Sequence, residues 1–194
     1  RQRGKVATLA LGYGGGEGAL VRMGALEMGL KEDELPDIKA RWRETNPNIV
    51  RLWGETERAA LAAVNAGRGE THGLIFAREF DEETAQDFLS VTLPAGRKLF
   101  YAHPFLAPAK NMPDRTSLHY FGVDQQTRRF VATDTWGGKL VENIVQAIAR
   151  DCLAETLLKI AARGIGDTMF HVHDEVIVSC DRPDGLDEIL NVMK

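Results

Sequence analysis

Met169-Phe170-His171-Val172-His173-Asp174-Glu175-Val176-Ile177-Val178 decides how this chain is read. Val, Ile and Phe on both sides favour two short strands, with His173-Asp174 near the turn between them. A hairpin of that kind lifts the adjacent carboxylates of Asp174 and Glu175 to its tip, where they can face a substrate and a hard cation. Mg²⁺ takes oxygen ligands and is usually held by one or two carboxylates together with substrate phosphates. The stretch therefore suits half of a phosphoryl-transfer site. For a lone Asp-Glu pair a solvated turn is the blander alternative, and the other end of the chain decides between them.

At that end Arg1, Lys5, Leu9 and Tyr13 are spaced four apart. On a helix such residues stack into one slowly drifting stripe. Two cations, an apolar platform and an aromatic ring on one stripe suit a nucleoside triphosphate: cations for the phosphates, the apolar side chain against the sugar, the ring near a base. The alternative is an amphipathic helix with Leu9 and Tyr13 in the core and the cations in water.

Between these ends, residues 1–66 read as helical. Gly12-Tyr13-Gly14-Gly15-Gly16 breaks the first helix and forms a hinge. Ala19–Gly29 reads as a second helical run, 31–36 as a charged connector, and Asn46-Pro47 as the start of a third helix with Ile49, Leu52 and Trp53 at core spacing. From Gly67 the texture changes to short strands at 74–80, 88–93 and 98–103. Residues 104–113, rich in Pro and Ala, read as a loop. Residues 118–123 and 128–133 read as a hairpin around Asp124-Gln125-Gln126-Thr127. A long helix at 140–160 precedes the His-Asp-Glu hairpin and a charged end.

With 194 residues and 44% hydrophobic content, the chain can bury a sizeable core in one or two domains. A net charge of −4 argues against a generally basic nucleic-acid coat, so any DNA contact must be local. Cys152 and Cys180 cannot form a disulfide framework, which suits a reduced cytoplasmic setting. No signal peptide, long apolar span or lipidation signature is present, and no membrane partner is expected.

Rival readings come from other classes. Lys5–Leu11 could be a strand and Gly14-x-Gly16-x-x-Ala19 an NAD(P)-binding fingerprint, as in an oxidoreductase. That fingerprint needs a second strand ending in an acid about 20 residues on, whereas Lys31–Arg43 is charged and carries Pro36. A zinc site at His171-x-His173 would place both imidazoles on one strand face, but His72, His103 and His119 are scattered and His171 reads as an ordinary strand residue. A non-catalytic interaction module is a further alternative.

Taken together, the two ends resemble the family A DNA polymerases, the DNA polymerase I group, and the wording is nearest to phage-encoded members. Arg1, Lys5, Tyr13 and Gly14 look like the family's fingers-helix motif, and His173-Asp174-Glu175 looks like its last palm motif. Thr92-Leu93-Pro94-Ala95-Gly96-Arg97 is similar to its "T-L-x-G-R-R" strand and turn. The helix from Lys139 through Asn143 and Gln146 to Asp151 resembles the one that contacts the primer-template minor groove. The resemblance spans essentially the whole chain, and several weak motifs in one order are far more specific than any one alone.

The resemblance implies an α+β fold: a fingers-like helical subdomain over 1–66, and a palm-like subdomain over 67–194 with antiparallel strands, a long helix and a carboxylate-bearing β-hairpin. It implies a template-directed DNA polymerase that binds primer-template DNA and deoxynucleoside triphosphates and uses two Mg²⁺ ions. Asp174 would bind metal, with Glu175 in support. Arg1 and Lys5 would neutralise the triphosphate, Lys5 also protonating the leaving group. Leu9 would meet the sugar, and Tyr13 would gate the template base, with Gly12 and Gly14 supplying backbone freedom. His173 would contact the primer, Gln146 and Asn143 the minor groove, and Arg97 a DNA backbone. Leu9 departs from the family's Phe or Tyr, Asn143 and Gln146 are three apart rather than four, and Lys139 stands only near the position of a family arginine. The family's first catalytic aspartate lies upstream of the fingers helix. The chain therefore reads as a C-terminal fragment, inactive without the N-terminal part of the same polymerase.

Overall fold

A computed structural model describes residues 2–110 and 112–193 of the chain. The fold is α+β, mixing helices with antiparallel sheets. It comprises two compact units, 1–143 and 144–194. The change of texture at Gly67 is where helices give way to strands, but the division into units falls later, inside the long helix.

The first unit opens with four helices, α1 (Gln2–Leu11), α2 (Glu17–Arg22), α3 (Leu35–Thr45) and α4 (Pro47–Ala66). Val6, Ala10 and Leu11 of α1 join Leu20, Ala25 and Leu35 in a core closed by Ile38 and Trp42. Removing these apolar side chains from water is what holds such short helices together, since helices of this length are marginal alone. The expected second helix is shorter than 19–29: α2 ends at Arg22, and the chain then turns through Gly24 (φ +82°) and Gly29 (φ +81°). Pro36 does not lie in a connector. It sits in the first turn of α3, where its missing N–H has no intrahelical acceptor to lose. α4 begins at Pro47 as expected and ends at Gly67 in the left-handed conformation, whose N–H donates to Ala63 O at 2.8 Å.

Six strands follow in sequence order as one antiparallel sheet: β1 (Arg68–Thr71), β2 (Leu74–Asp81), β3 (Gln86–Thr92), β4 (Lys98–Ala109), β5 (Met112–Val123) and β6 (Phe130–Thr135). α4 packs along β1 and β2. Gly69 permits that approach, because a Cβ there would overlap Ala59 O. Phe76, Leu89, Val91 and Leu118 are fully buried.

The expected loop at 104–113 is instead the far half of β4 and the start of β5. Proline normally excludes a strand because it donates nothing to the ladder. Here the β4–β5 pairing shifts register between Ala102 and Phe105 and again between Pro108 and Ala109. The first shift coincides with His103 at φ +49°, so bulges absorb the prolines without ending the strand.

α5 (Gly137–Arg163) runs from the first unit into the second, longer at both ends than 140–160. The second unit continues with β7 (Asp167–Val172), β8 (Glu175–Ser179) and α6 (Gly185–Val192). Its core is Ile160, Ile165 and Val192, with Val176, Val178 and Ile189 against them. Among the described residues no helix is long and apolar enough to cross a membrane.

Candidate functional site

β7 and β8 form the expected hairpin, with Val172 opposite Glu175 and His173-Asp174 as the whole connection. Strand alternation explains how the tip is presented. Val176 and Val178 turn towards the core, so Glu175 shares the outer face with Val172, Phe170 and Ile177. Asp174 and Glu175 are both exposed. His173 has φ +53°, a left-handed conformation uncommon for a residue with a side chain and several-fold more frequent for His than for most. Such conformations cost of order 1–3 kcal/mol and cluster at functional sites.

The two carboxylates are hard oxygen donors of the kind Mg²⁺ takes. Among the described residues no group of three or more His, Cys, Asp or Glu gathers around them, so the hairpin supplies at most part of a coordination sphere. The same holds for zinc at His171 and His173.

In the first unit, Lys5 and Leu9 lie on the solvent side of α1, opposite Val6 and Ala10. Leu9 is 46% exposed, which removes the alternative that it is a core residue. Tyr13 is half-buried and falls beyond the end of α1, in the turn that follows, so the helical stripe proper stops at Leu9. Arg1 lies outside the described residues. The expected strand over Lys5–Leu11 is helix α1 and the sheet is antiparallel throughout, so the dinucleotide fingerprint lacks the strand it requires.

The glycine turn after α1 is held by Trp53, which the sequence marks only as a core residue, and by Trp136 and Arg43, which it does not single out. Gly14 adopts φ +80°, and a Cβ at Gly12 would come within 2.6 Å of Thr8 O. Trp53 Nε1 donates to Gly12 O at 3.1 Å, and Trp136 Nε1 donates to Tyr13 O at 3.2 Å. A guanidinium nitrogen of Arg43 donates to Gly15 O at 3.3 Å. A Cβ at Gly138 would overlap Tyr13 O, so the start of α5 approaches this turn by backbone. Two indole N–H groups on successive carbonyls fix the turn that carries Tyr13. The signal available beforehand was the presence of tryptophans flanked by glycine, as in Trp53-Gly54 and Trp136-Gly137-Gly138.

The remaining expected contacts divide between the units. Arg97 is exposed in the β3–β4 turn, which Gly96 N–H closes onto Leu93 O at 2.8 Å. Asn143 is half-buried and donates to the Tyr101 hydroxyl at 3.2 Å. Burial pushes that phenol up to about 12; the Asn143 bond works against the rise and Tyr120 adds to it. Gln146 is exposed, in the part of α5 that belongs to the second unit. Lys5, Leu9, Tyr13, Arg97 and Asn143 thus stand in one unit, and Gln146, His173, Asp174 and Glu175 in the other.

The chain is similar to a DNA polymerase of Bacillus phage SP02, with 46% identity over 191 residues, or 97% of this chain. Those residues are 28% of the phage protein, so the chain spans little more than a quarter of the length of the curated relative it matches. No family model and no solved structure matches the chain.

Proposed function

We propose that this chain is the fingers-and-palm segment of a template-directed DNA polymerase of family A, joining deoxynucleotides to a primer 3′ end. One observation carries the reading. Similarity to the phage polymerase extends over nearly the whole chain, and so includes both the Tyr13 turn and the His173-Asp174-Glu175 hairpin. A dehydrogenase has no use for that pairing of features, and the helix at Lys5–Leu11 disfavours it further.

In this reading the primer 3′ hydroxyl gives its proton to water as its oxygen bonds to the α-phosphorus of a deoxynucleoside triphosphate, and the bond from that phosphorus to pyrophosphate breaks. Asp174, supported by Glu175, would help to hold Mg²⁺, which when bound supplies positive charge to the transferring phosphoryl group. Lys5, with Arg1, neutralises the triphosphate, and the Lys5 ammonium gives its proton to the departing pyrophosphate. Leu9, one turn further along α1, meets the sugar. Tyr13 stands at the template base on a turn that Trp53 and Trp136 keep in place. His173 contacts the primer strand, Gln146 and Asn143 the minor groove, and Arg97 a DNA backbone. With a net charge of −4, such contacts are local rather than a general basic coat.

The test is a chimera in which this chain replaces the matching part of the SP02 polymerase. Labelled primer should be extended by the chimera and by neither its Asp174→Ala form nor the isolated chain. Asp174→Ala should leave primer-template affinity nearly unchanged, while Lys5→Ala should mainly slow the chemical step, since it removes charge stabilisation made in the transition state. Undiminished single-turnover rates for Asp174→Ala would falsify the catalytic assignment.

A further inference from the structure

We propose that the face of the six-stranded sheet turned away from α4 is a docking surface for single-stranded DNA, separate from the residues assigned above to the nucleotide and the primer-template. It lies within the first unit, on β3–β6, whereas Lys5 and Leu9 stand on α1, Tyr13 in the turn after it and Asn143 on α5.

Strand alternation sets the composition of this face. Phe76, Leu89 and Tyr101 are buried on the side where α4 packs, and Arg78 reaches from that side to Val64 O at 3.1 Å. Their neighbours along each strand turn the other way. There the directly opposed residues Phe88, Ala102, Phe121 and Ala132 make one row across β3, β4, β5 and β6. Phe100 and Phe130 each stand two residues before an alanine of that row, and Phe105 lies opposite His119. The rings run on from one another. Phe105 stacks on His119 with centroids 5.2 Å apart, and Phe121 lies 6.1 Å from Phe105 and 5.8 Å from Phe130. Phe100 is 57% exposed, Phe130 56% and Phe105 38%. Large rings gathered on one exposed face mark an interaction site, where single scattered ones would not.

Charge selects a polyanion. Arg128 and Arg129 lead directly into Phe130, and both are exposed with no ion-pair partner among the described residues. The acids nearby are already engaged: Asp124 accepts the N–H groups of Gln126 and Thr127, Asp134 that of Lys110, and Glu79 bonds to Lys98 and Ser90. A single strand of DNA meets both features, with phosphates for the guanidiniums and bases for the rings. Every base has a π-face, and aromatic platforms flanked by cations bind single strands. An acidic peptide fits less well. The backbone groups of an inner strand are spent on its ladder, so a peptide lying across this face would leave amides unmet. Duplex DNA hides its base faces inside its own stack. Ala102 and Ala132, between the rings, offer nothing to a ribose 2′-hydroxyl, which selects DNA over RNA.

The test is the anisotropy of a short labelled oligothymidylate titrated with the 194-residue chain. Phe130→Leu and Phe100→Leu keep an apolar side chain and discard the π-face. Each should weaken binding about fivefold, the scale of one stacked base, at unchanged melting temperature. Arg128→Ala combined with Arg129→Ala should flatten the log–log salt dependence by about 0.7 for each phosphate contact removed. A strand carrying bromodeoxyuridine should cross-link under ultraviolet light to β4–β6. Cross-linking is read on the unaltered chain, so it decides even if a variant fails to fold. Absence of binding, equal binding of duplex or of oligouridylate, or indifference to both phenylalanine variants would each overturn the proposal. So would cross-links confined to α1 and α5, which would return the strand to the primer-template residues. No measurement here uses primer extension, so the proposal stands or falls apart from the polymerase reading.

Discussion

Leu9 shows what a single side chain can report. It lies one turn beyond Lys5 on α1 with nearly half its surface in water. If Lys5 holds phosphates, the next side chain on that face meets the sugar. Leu9→Phe in the chimera should therefore change the ratio of dideoxy- to deoxynucleotide incorporation, by an amount corresponding to about 1–3 kcal/mol for a contact at one sugar position. Because Leu9 fills no core position, the melting temperature should hold. Unaltered ratios would show that this face of α1 looks away from the nucleotide. The sequence carried the spacing of Lys5 and Leu9 but not which face of α1 is wet. Val6 and Ala10 are as regularly spaced, and only their burial against Leu20 and Leu35 orients the helix.

At the scale of elements, apolar periodicity and turn chemistry made much of the fold legible. The break at Gly12–Gly16, the start of α4 at Asn46-Pro47, the long helix and the His173-Asp174 turn all rest on strong local signals. What escaped was tertiary. β4 runs through Pro104 and Pro108 because neighbouring strands and bulges hold it, which no local propensity expresses. The residues that pin the glycine turn, Trp53, Trp136 and Arg43, come from distant elements and carry no motif. β4 also meets α5 through the Tyr101–Asn143 bond, and this has a measurable consequence. Burial favours the neutral phenol, so the folded chain keeps its proton where the unfolded chain has lost it. The associated stability is complete below the ordinary value near 10 and is lost as pH rises towards about 12. A shift of this size corresponds to roughly 2–3 kcal/mol. Urea unfolding across that window should show the decline. In an absorbance titration of the folded chain, one of the three tyrosines should ionise last, and Tyr101→Phe should abolish that late step.

At the scale of the whole molecule, the two compact units differ in how their sheets are secured. In the first, β3 lies between β2 and β4, with Leu89, Ser90 and Val91 fully buried. In the second, β7 and β8 form an isolated pair. Every residue of β7 is exposed, and the support comes from Val176 and Val178 on one face of β8 against a small core. Two-stranded sheets are marginal in water, and segments with few buried contacts open at the lowest free energies. The carboxylate-bearing tip thus stands on the less secured of the two sheets, with His173 adding left-handed backbone strain at its turn. Amide hydrogen exchange should resolve the difference. Ladder amides of 175–179 should exchange orders of magnitude faster than those of 88–92, because each kilocalorie of local opening free energy changes the rate about fivefold. His173→Gly should slow exchange at 175–179, since glycine adopts positive φ without the steric cost. In the chimera it should still weaken primer binding if the imidazole touches the primer. Equal protection in the two sheets would mean that the hairpin is held by more than the contacts with Ile160, Ile165 and Val192.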